Sequence, residues 1–309
     1  MAGRTPLSFP KPSTCAATAT VRGDRDGDLT ALAGRDWDAV VDPSGYVPRV
    51  VRASADLLAP AVGHYTFVSS ISVYRDFREA GIAEDYPLAE LTEESEDVPT
   101  HYGALKALCE DVVREVFAER ALVIRPGVIV GPYDTANRFG WWVRRVAAGG
   151  PVLVPAASEW PVQLVHARDL ADWILDLAER REGGTFNAVG EPIAMADLLA
   201  EIRSVTDSDA EFVPVDEQFL LDHGVEPWEE LPLWLAPSAN PDFAWMMAVD
   251  VSSAHAAGLR HRRLADTIRE SLAAEGETVR RDFGSRGASS GLGPEREREL
   301  MAAWATLKT

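Results

Sequence analysis

Residues 101–130 read HYGALKALCEDVVREVFAERALVIRPGVIV, and this stretch decides the fold. The first part, residues 101–118, places apolar residues three and four positions apart, which predicts an amphipathic helix. The second part, residues 121–130, is a nearly continuous apolar run, which predicts a buried strand. A helix that leads directly into a buried strand is typical of a parallel sheet covered by helices.

The same alternation continues on both sides of this stretch. Upstream, the pattern predicts strands at 39–41 and 64–69 and a helix at 47–60. Downstream, we expect strands at 162–165, 185–188 and 211–215 and helices at 169–180, 195–205, 264–274 and from Pro294 onward. The sequence therefore predicts an α/β protein with a parallel sheet and a smaller C-terminal lobe over the carboxyl edge of that sheet.

Composition limits the class of protein. The chain has 309 residues, of which 46% are hydrophobic and 26% charged, as in ordinary globular domains. No uninterrupted apolar run is long enough to span a bilayer, so we expect no membrane partner. Two cysteines are too few for a disulfide framework, and no secretory signal pattern is present, so a cytoplasmic location is expected. The net charge of -19 would repel a phosphate backbone, so nucleic-acid binding is not expected.

Tyr102 and Lys106 are the first candidates for chemistry. They are four residues apart and therefore lie on one face of the predicted helix. An ammonium beside a phenol stabilises the phenolate and lowers the pKa of the tyrosine, which suits a general acid or base. Only three lysines are present in the chain, so a tyrosine and a lysine at this spacing are rarely expected by chance. A chance pairing is nevertheless the alternative interpretation.

Ser70 is the second candidate, because it follows the strand predicted at 64–69. The carboxyl ends of parallel strands face the ligand crevice, so the Ser70 hydroxyl could donate to a substrate carbonyl. The alternative is that Ser69 and Ser70 only satisfy backbone groups at the strand end. The six histidines show no metal-ligand spacing, so no metal site is expected.

Five motifs in order resemble the extended short-chain dehydrogenase/reductase family, the NAD-dependent epimerase/dehydratase group. They are FVSSISVY, YGALK, VIRPGVIVGP, VQLVHARDLADWI and GTFNAVG, and the resemblance covers roughly residues 22–275. It implies a doubly wound, Rossmann-like sheet, a nicotinamide cofactor (NAD or NADP) and a small-molecule substrate. It is compatible with a homodimer.

The resemblance also implies roles for individual residues. It identifies Ser70, Tyr102 and Lys106 as catalytic, with Tyr102 and Lys106 also at the cofactor. Asp24, Gly45 and Pro126 match positions that line the cofactor, although each is alternatively an ordinary turn or strand-end residue. The substrate-contact positions match Val128, Gln163 and His166.

The sequence departs from the family pattern at the N-terminus. The family begins with a strand, a GxxGxxG turn that wraps the pyrophosphate, and a helix. Here Gly3 is the only glycine before Gly23, so we expect the sheet to be N-terminally incomplete and cofactor binding to be weak or absent. The strand at 39–41 would then be an exposed edge, and any strand near 20–22 would lose its neighbour.

Three explanations of this departure are open. The first is that the start site or reading frame is in error. The second is that the fold works without a dinucleotide, and the third is that residues 1–20 form an unrecognised substitute for the glycine-rich turn. The expected organisation has four parts. They are an irregular segment over 1–20, a Rossmann-like domain over 21–135 with later returns near 162–190, a mainly substrate-binding lobe over 136–275, and a linker and C-terminal helix over 276–309.

Val128 is a second departure. Family members that act on nucleotide sugars commonly have an asparagine there, and valine cannot form a hydrogen bond with a sugar. The lobe is rich in tryptophan, which indicates either an apolar pocket or simply the packing of its core. The function expected is an NAD(P)-dependent reductase or epimerase for a small carbonyl or secondary alcohol. The alternative is a non-catalytic binding or regulatory relative that has lost the dinucleotide site.

Overall fold

The computed structural model describes residues 20–156, 159–274 and 291–307. Nearly all of the irregular segment expected at 1–20, and most of the linker expected at 284–293, lie outside these residues.

The strands and helices follow one another along the described residues, with long connections between residues 68 and 98 and between residues 222 and 252. The strands there are β1 (Val40–Asp42), β2 (Tyr65–Val68), β3 (Ala121–Pro126), β4 (Val128–Val130), β5 (Pro151–Pro155), β6 (Pro161–Val162), β7 (Leu164–His166), β8 (Gly184–Ala188), β9 (Ile193–Ala194) and β10 (Glu211–Val215). The α-helices there are α1 (Pro48–Leu58), α2 (Val98–Phe117), α3 (Arg138–Ala147), α4 (Ala167–Glu179), α5 (Met195–Val205), α6 (Glu217–Asp222), α7 (Ser252–Ala256), α8 (Leu264–Ala273) and α9 (Pro294–Leu307).

The main sheet is parallel and has the strand order β1-β2-β3-β8. Every residue of β3 is buried, as the apolar run at this position predicts. Tyr65 pairs with Val40 on one side and with Ala121 on the other, so β2 is central. The predicted α/β class with a parallel sheet is therefore confirmed.

Helices cover both faces of this sheet. On one face, α1 and α2 pack against β2 through a buried apolar cluster that includes Val51, Phe67 and Val113. On the other face, α4 packs against β3 through a second cluster that includes Trp173 and Leu177. This three-layer arrangement leaves the carboxyl ends of the strands as the place where loops meet.

β1 is an edge strand, as expected. Val41 is 39% exposed, and the chain from 20 to 32 lies beside the strand without forming a regular strand itself. A cavity of about 310 Å³ separates this segment from β1. Within it, Arg25 forms an ion pair with the buried carboxylate of Asp42, which also accepts a hydrogen bond from the Tyr65 hydroxyl at 2.8 Å.

The strand expected over 121–130 is divided in two. Pro126 has no N–H to donate, and a side chain at Gly127 would lie 2.6 Å from Val189 Cγ1. The chain therefore turns out of the main sheet, and β4 pairs with β7 instead. This division brings Val128 to the edge of the main sheet beside Ser70.

A separate apolar core belongs to the C-terminal part of the chain. It joins α3, β5, α5, β10 and α8, and it includes the fully buried side chains of Trp142 and Trp234. Helix α9 also packs there, because Leu300 is buried and Trp304 lies 5.0 Å from the ring of Phe219. The sequence patterns did not identify α3, β5 or α6.

Candidate functional site

Lys106 is held in one position by its surroundings. It is only 1% exposed, and its ammonium donates hydrogen bonds to the carbonyl oxygens of Gly45 at 2.9 Å and Val68 at 2.7 Å. The ring of Phe67 lies beneath the ammonium, with its centre 4.1 Å from Nζ. Burial lowers the pKa of Lys106 to about 8. The amine is therefore fixed between the loop after β1 and the end of β2.

The side chains of Tyr102 and Ser70 are neighbours, since the Ser70 hydroxyl acts on the pKa of Tyr102. Burial raises the pKa of Tyr102, and the Ser70 hydroxyl only partly opposes this effect. The neighbouring lysine is expected from the sequence to lower this pKa, whereas the pKa of Tyr102 is raised. The physical reason is that desolvation disfavours the phenolate, and the nearby Tyr46 adds to this effect.

Ser70 lies directly after β2, with its Oγ close to the backbone of the next turn. Ser70 Oγ accepts a hydrogen bond from the Ser72 amide at 3.1 Å and donates to Ser72 Oγ at 3.1 Å. Both interpretations of Ser70 are therefore compatible with the structure, because the hydroxyl satisfies backbone and also reaches Tyr102.

Gly103 explains how Tyr102 comes so close to Ser70. A side chain at Gly103 would place its Cβ only 2.0 Å from the carbonyl oxygen of Ser72. Only glycine therefore lets α2 lie against the turn that carries Ser70. A kink at His101, where φ is -118° and ψ is 27°, precedes this contact.

The three residues expected only at the cofactor lie in different surroundings. Gly45 lies beside Lys106, and a side chain there would lie 2.6 Å from the ring of Phe67. Pro126 is buried at the carboxyl end of β3. Asp24 lies in an exposed turn, where its carboxylate accepts a hydrogen bond from the Asp26 amide at 3.0 Å, and it does not line the cavity beside β1.

These residues fit only one end of a nicotinamide dinucleotide. Lys106, at the end of β2, and the carbonyl of Gly45 offer a donor and an acceptor of the kind that a ribose requires. The pyrophosphate end needs backbone N–H groups at a glycine-rich turn, and neither the chain from 20 to 32 nor the Val47-Pro48 start of α1 provides such a turn. The fit is therefore incomplete within the described residues.

Ser70 opens into a cavity of about 230 Å³ that also contains Val128, as expected for a substrate contact. Beyond Ser70 and Val128, the lining includes Trp228, one of the tryptophans considered above as pocket or core residues, and Asp134 and Arg138, which the sequence patterns did not identify. Burial raises the pKa of Asp134. The guanidinium of Arg138 lies over the indole of Trp228, 4.7 Å from the ring centre.

Gln163, expected at a substrate contact, does not line this cavity. It is 1% exposed, and its amide group donates to the carbonyls of Gly190 and Val249 and accepts from the Val249 amide. Both amide hydrogens of Gln163 and its carbonyl oxygen are thus engaged by backbone groups. Gln163 joins two segments and contacts no substrate cavity.

His166, also expected at a substrate contact, lines a different cavity. Its Nδ1 accepts from the Arg168 amide at 3.2 Å at the start of α4, and its Nε2 lies 3.2 Å from Glu270. The cavity that His166 lines shares no lining residue with the cavity at Ser70. A histidine that caps a helix and pairs with a carboxylate is a structural feature of the lobe.

Most tryptophans of the lobe pack its core, which decides between the two interpretations given above. Trp141, Trp142 and Trp234 are buried, and the Trp142 indole donates to the Pro232 carbonyl at 2.6 Å. Trp228 packs against this core and also lines the cavity at Ser70, whereas Trp245 is 41% exposed.

A metal site and a membrane-spanning helix are both absent from the residues that the structure describes. No group of three or more histidine, cysteine, aspartate or glutamate side chains is arranged there to hold a metal ion. No helix among them has the length and apolar character needed to cross a bilayer.

Two curated proteins resemble parts of the chain. One is the mitochondrial NADH dehydrogenase [ubiquinone] 1 alpha subcomplex subunit 9 of Dictyostelium discoideum, 26% identical over 133 residues, covering 41% of this chain and 35% of the relative. Another is the chloroplast stem-loop binding protein of 41 kDa b of Arabidopsis thaliana, 28% identical over 183 residues, covering 58% of this chain and 45% of the relative. The chain thus spans less than half the length of each of these relatives.

Solved structures share the fold. UDP-glucuronic acid 4-epimerase from Bacillus cereus in complex with NAD aligns with a TM-score of 0.57 at 15% identity, over 84% of this chain and 81% of that chain. RMD from Pseudomonas aeruginosa, complexed with NADPH, aligns with a TM-score of 0.55 at 16% identity, over 84% of this chain and 88% of that chain. At such identities the similarity shows the Rossmann-like fold alone.

The family follows from a direct match to the sequence. The model of the NAD dependent epimerase/dehydratase family matches residues 30–189, which contain Ser70, Tyr102 and Lys106. This match covers more than half of the chain, and it agrees with the parallel sheet and with the folds of the solved relatives. The chain belongs to the NAD dependent epimerase/dehydratase family.

Proposed function

We propose that this protein is an NAD(P)-dependent reductase or epimerase that acts on a small carbonyl compound or secondary alcohol. The observation that carries this proposal is that Tyr102 neighbours Ser70, whose side chain lines a cavity. Two neighbouring hydroxyl groups can share the oxygen of a substrate, and that oxygen is where charge develops during reduction.

Each of the three residues has a role that follows from its contacts. Ser70 donates a hydrogen bond to the substrate oxygen and polarises its bond to carbon. Tyr102 transfers the proton to that oxygen, and its raised pKa keeps the phenol protonated and ready to donate. Lys106 is a positioning residue, because its contacts with Gly45 and Val68 fix the floor of the site.

A bound nicotinamide dinucleotide supplies hydride transfer. Lys106 and the Gly45 carbonyl would lie at its ribose, and Pro126 at the end of β3 would border the ring. NAD and NADP are not distinguished by these residues. The homodimer, the division of the chain near residue 135 and the role of Asp24 are likewise proposals that rest on the family resemblance.

The test is turnover of carbonyl compounds by the 309-residue protein with NADH and with NADPH. Ser70→Ala should lower kcat by about 10²-fold, since it removes one donor to the developing oxyanion. Ser253→Ala, on the distant helix α7, is the control and should leave kcat unchanged. Equal activity of Ser70→Ala and the native protein would contradict the assignment.

A second candidate is a non-catalytic binding or regulatory protein. The names of the two curated relatives favour it, because one is a respiratory-complex subunit and the other a stem-loop binding protein. The net charge of -19 opposes RNA binding by this chain. If no carbonyl compound is turned over while small molecules still bind at Ser70, this candidate is preferred.

A further inference from the structure

A second cavity adjoins the one at Ser70. Its volume is about 310 Å³, and the two cavities share the side chains of Trp228 and Met246. The remaining lining consists of Pro227, Leu235, Asn240 and Phe243. Together the two spaces have the size of an ordinary small-molecule site, with the reacting hydroxyl groups at one end.

The second cavity offers almost no polar partner. Its polar side-chain groups are the amide of Asn240, whose Nδ2 already donates to the carbonyl of Leu235 at 3.1 Å, and the indole N–H of Trp228. Phe243 lines the same space and is 49% exposed. A hydroxyl-rich group placed here would lose hydrogen bonds to water, whereas an alkyl or aryl group would gain from leaving water.

Trp228 is held firmly at the junction of the two cavities. Its φ of 69° is in the left-handed region, which costs energy for a bulky residue, and such strain is found preferentially where a side chain has a function. Its amide donates to the Trp234 carbonyl at 2.9 Å, and the Arg138 guanidinium stacks on its indole. The indole therefore forms a fixed wall between the reacting end and the apolar end.

We infer that the substrate is an apolar ketone, or the corresponding secondary alcohol, whose alkyl or aryl group extends from Ser70 across Trp228 and Met246 into the second cavity. This inference rests on the proposed function, because it takes Ser70 as the reacting end. Val128 belongs to the same path and also lacks a polar atom. Trp228 and Met246 are then the residues that determine specificity.

Binding of a series of methyl ketones from butanone to octanone, measured by ligand-observed NMR titration, tests the inference. The affinity should increase by up to about fourfold for each added methylene, since each one leaves water for an apolar surface. Trp228→Ala should remove most of this increase and raise the Kd of octanone about tenfold, whereas Trp228→Phe should retain it. Leu175→Ala, an apolar truncation on an exposed face of α4, is the control and should leave the series unchanged.

Affinities that do not depend on chain length, or an unchanged series in Trp228→Ala, would overturn the inference. If Trp228→Ala does not fold, Met246→Gln gives the same test, because it places an amide at the junction. Turnover measured in parallel separates the two claims. Length-dependent binding without turnover overturns the proposed function and leaves the apolar cavity as a binding site. Turnover of small polar ketones without length dependence overturns this inference alone.

Discussion

At the scale of one residue, Lys106 shows how the charge of a buried amine is stabilised after the amine has lost its water. The ammonium is almost fully buried, and two carbonyl groups and an aromatic face replace the water that it has lost. These contacts do not compensate completely, because the pKa of Lys106 falls to about 8. The i, i+4 spacing of Tyr102 and Lys106 was visible in the sequence, but the direction of the Tyr102 pKa shift was not, since it depends on burial.

The lowered pKa of Lys106 predicts a particular dependence of stability on pH. Between pH 8 and the ordinary lysine value of 10.5, the unfolded chain binds more protons than the folded protein, so stability rises with pH in this window. The free energy of unfolding of the native protein, relative to Lys106→Met, should therefore increase by about 3 kcal/mol across it. Urea unfolding of both proteins at several pH values measures this difference. A difference that stays constant, or that falls as pH rises, would show that the ammonium is not desolvated.

Helix α2 shows how one element assembles the site. It carries Tyr102 and Lys106, and it reaches the turn with Ser70 only because Gly103 has no side chain. The sequence predicted this helix within a few residues and placed its apolar face correctly, because the 3.6-residue period is regular. The close contact at Gly103 was not predictable, since it depends on the position of the Ser72 carbonyl in another segment.

Gly103→Ala tests this contact. The added Cβ would clash with backbone that has little freedom to move, so we expect a loss of about 1–3 kcal/mol in stability and a large loss of turnover. Gly293→Ala is the matched control, because nothing lies within 4 Å of a Cβ at that position. Urea unfolding and steady-state kinetics measure both effects. If Gly103→Ala and Gly293→Ala have the same stability and the same turnover, the close approach of α2 to the Ser70 turn is not needed for function.

At the scale of the whole molecule, the parallel sheet and its helices carry the proposed acid–base residues, and the C-terminal part supplies the apolar wall of the cavity. The sheet and its helices followed from periodicity, and Ser70 followed from its place at a strand end. The surroundings of Gln163, His166 and Trp228 were not predictable for a common reason. Periodicity does not tell whether a loop side chain faces a cavity, a backbone carbonyl or a carboxylate.

Buried histidines make the whole molecule sensitive to acid. His64 is fully buried, and neither ring nitrogen has a hydrogen-bond partner among the described residues. Burial, with a contribution from Arg181, lowers its pKa from 6.5, and burial also lowers the pKa of His166. The unfolded chain therefore binds more protons below about pH 6.5, and stability should fall as the pH decreases.

His64→Leu isolates one part of this effect. The variant has no imidazole to protonate just before β2, so its free energy of unfolding should decrease less steeply below pH 6.5 than that of the native protein. Thermal or urea unfolding between pH 7 and 5 measures the two slopes. If the free energies of unfolding of both proteins decreased equally with pH, His64 would not take up a proton on unfolding.

The most direct test of the central claim compares two phenol deletions. Tyr102→Phe removes the hydroxyl that meets Ser70, while Tyr86→Phe removes one that hydrogen-bonds to Asp76 away from the cavity. The measurement is kcat for oxidation of NADH or NADPH with the best methyl ketone, together with the Kd of that ketone. We predict a loss of about 10²–10⁴-fold in kcat for Tyr102→Phe alone, with little change in the Kd of either variant. Equal kcat for Tyr102→Phe and the native protein would contradict the claim that Tyr102 transfers the proton.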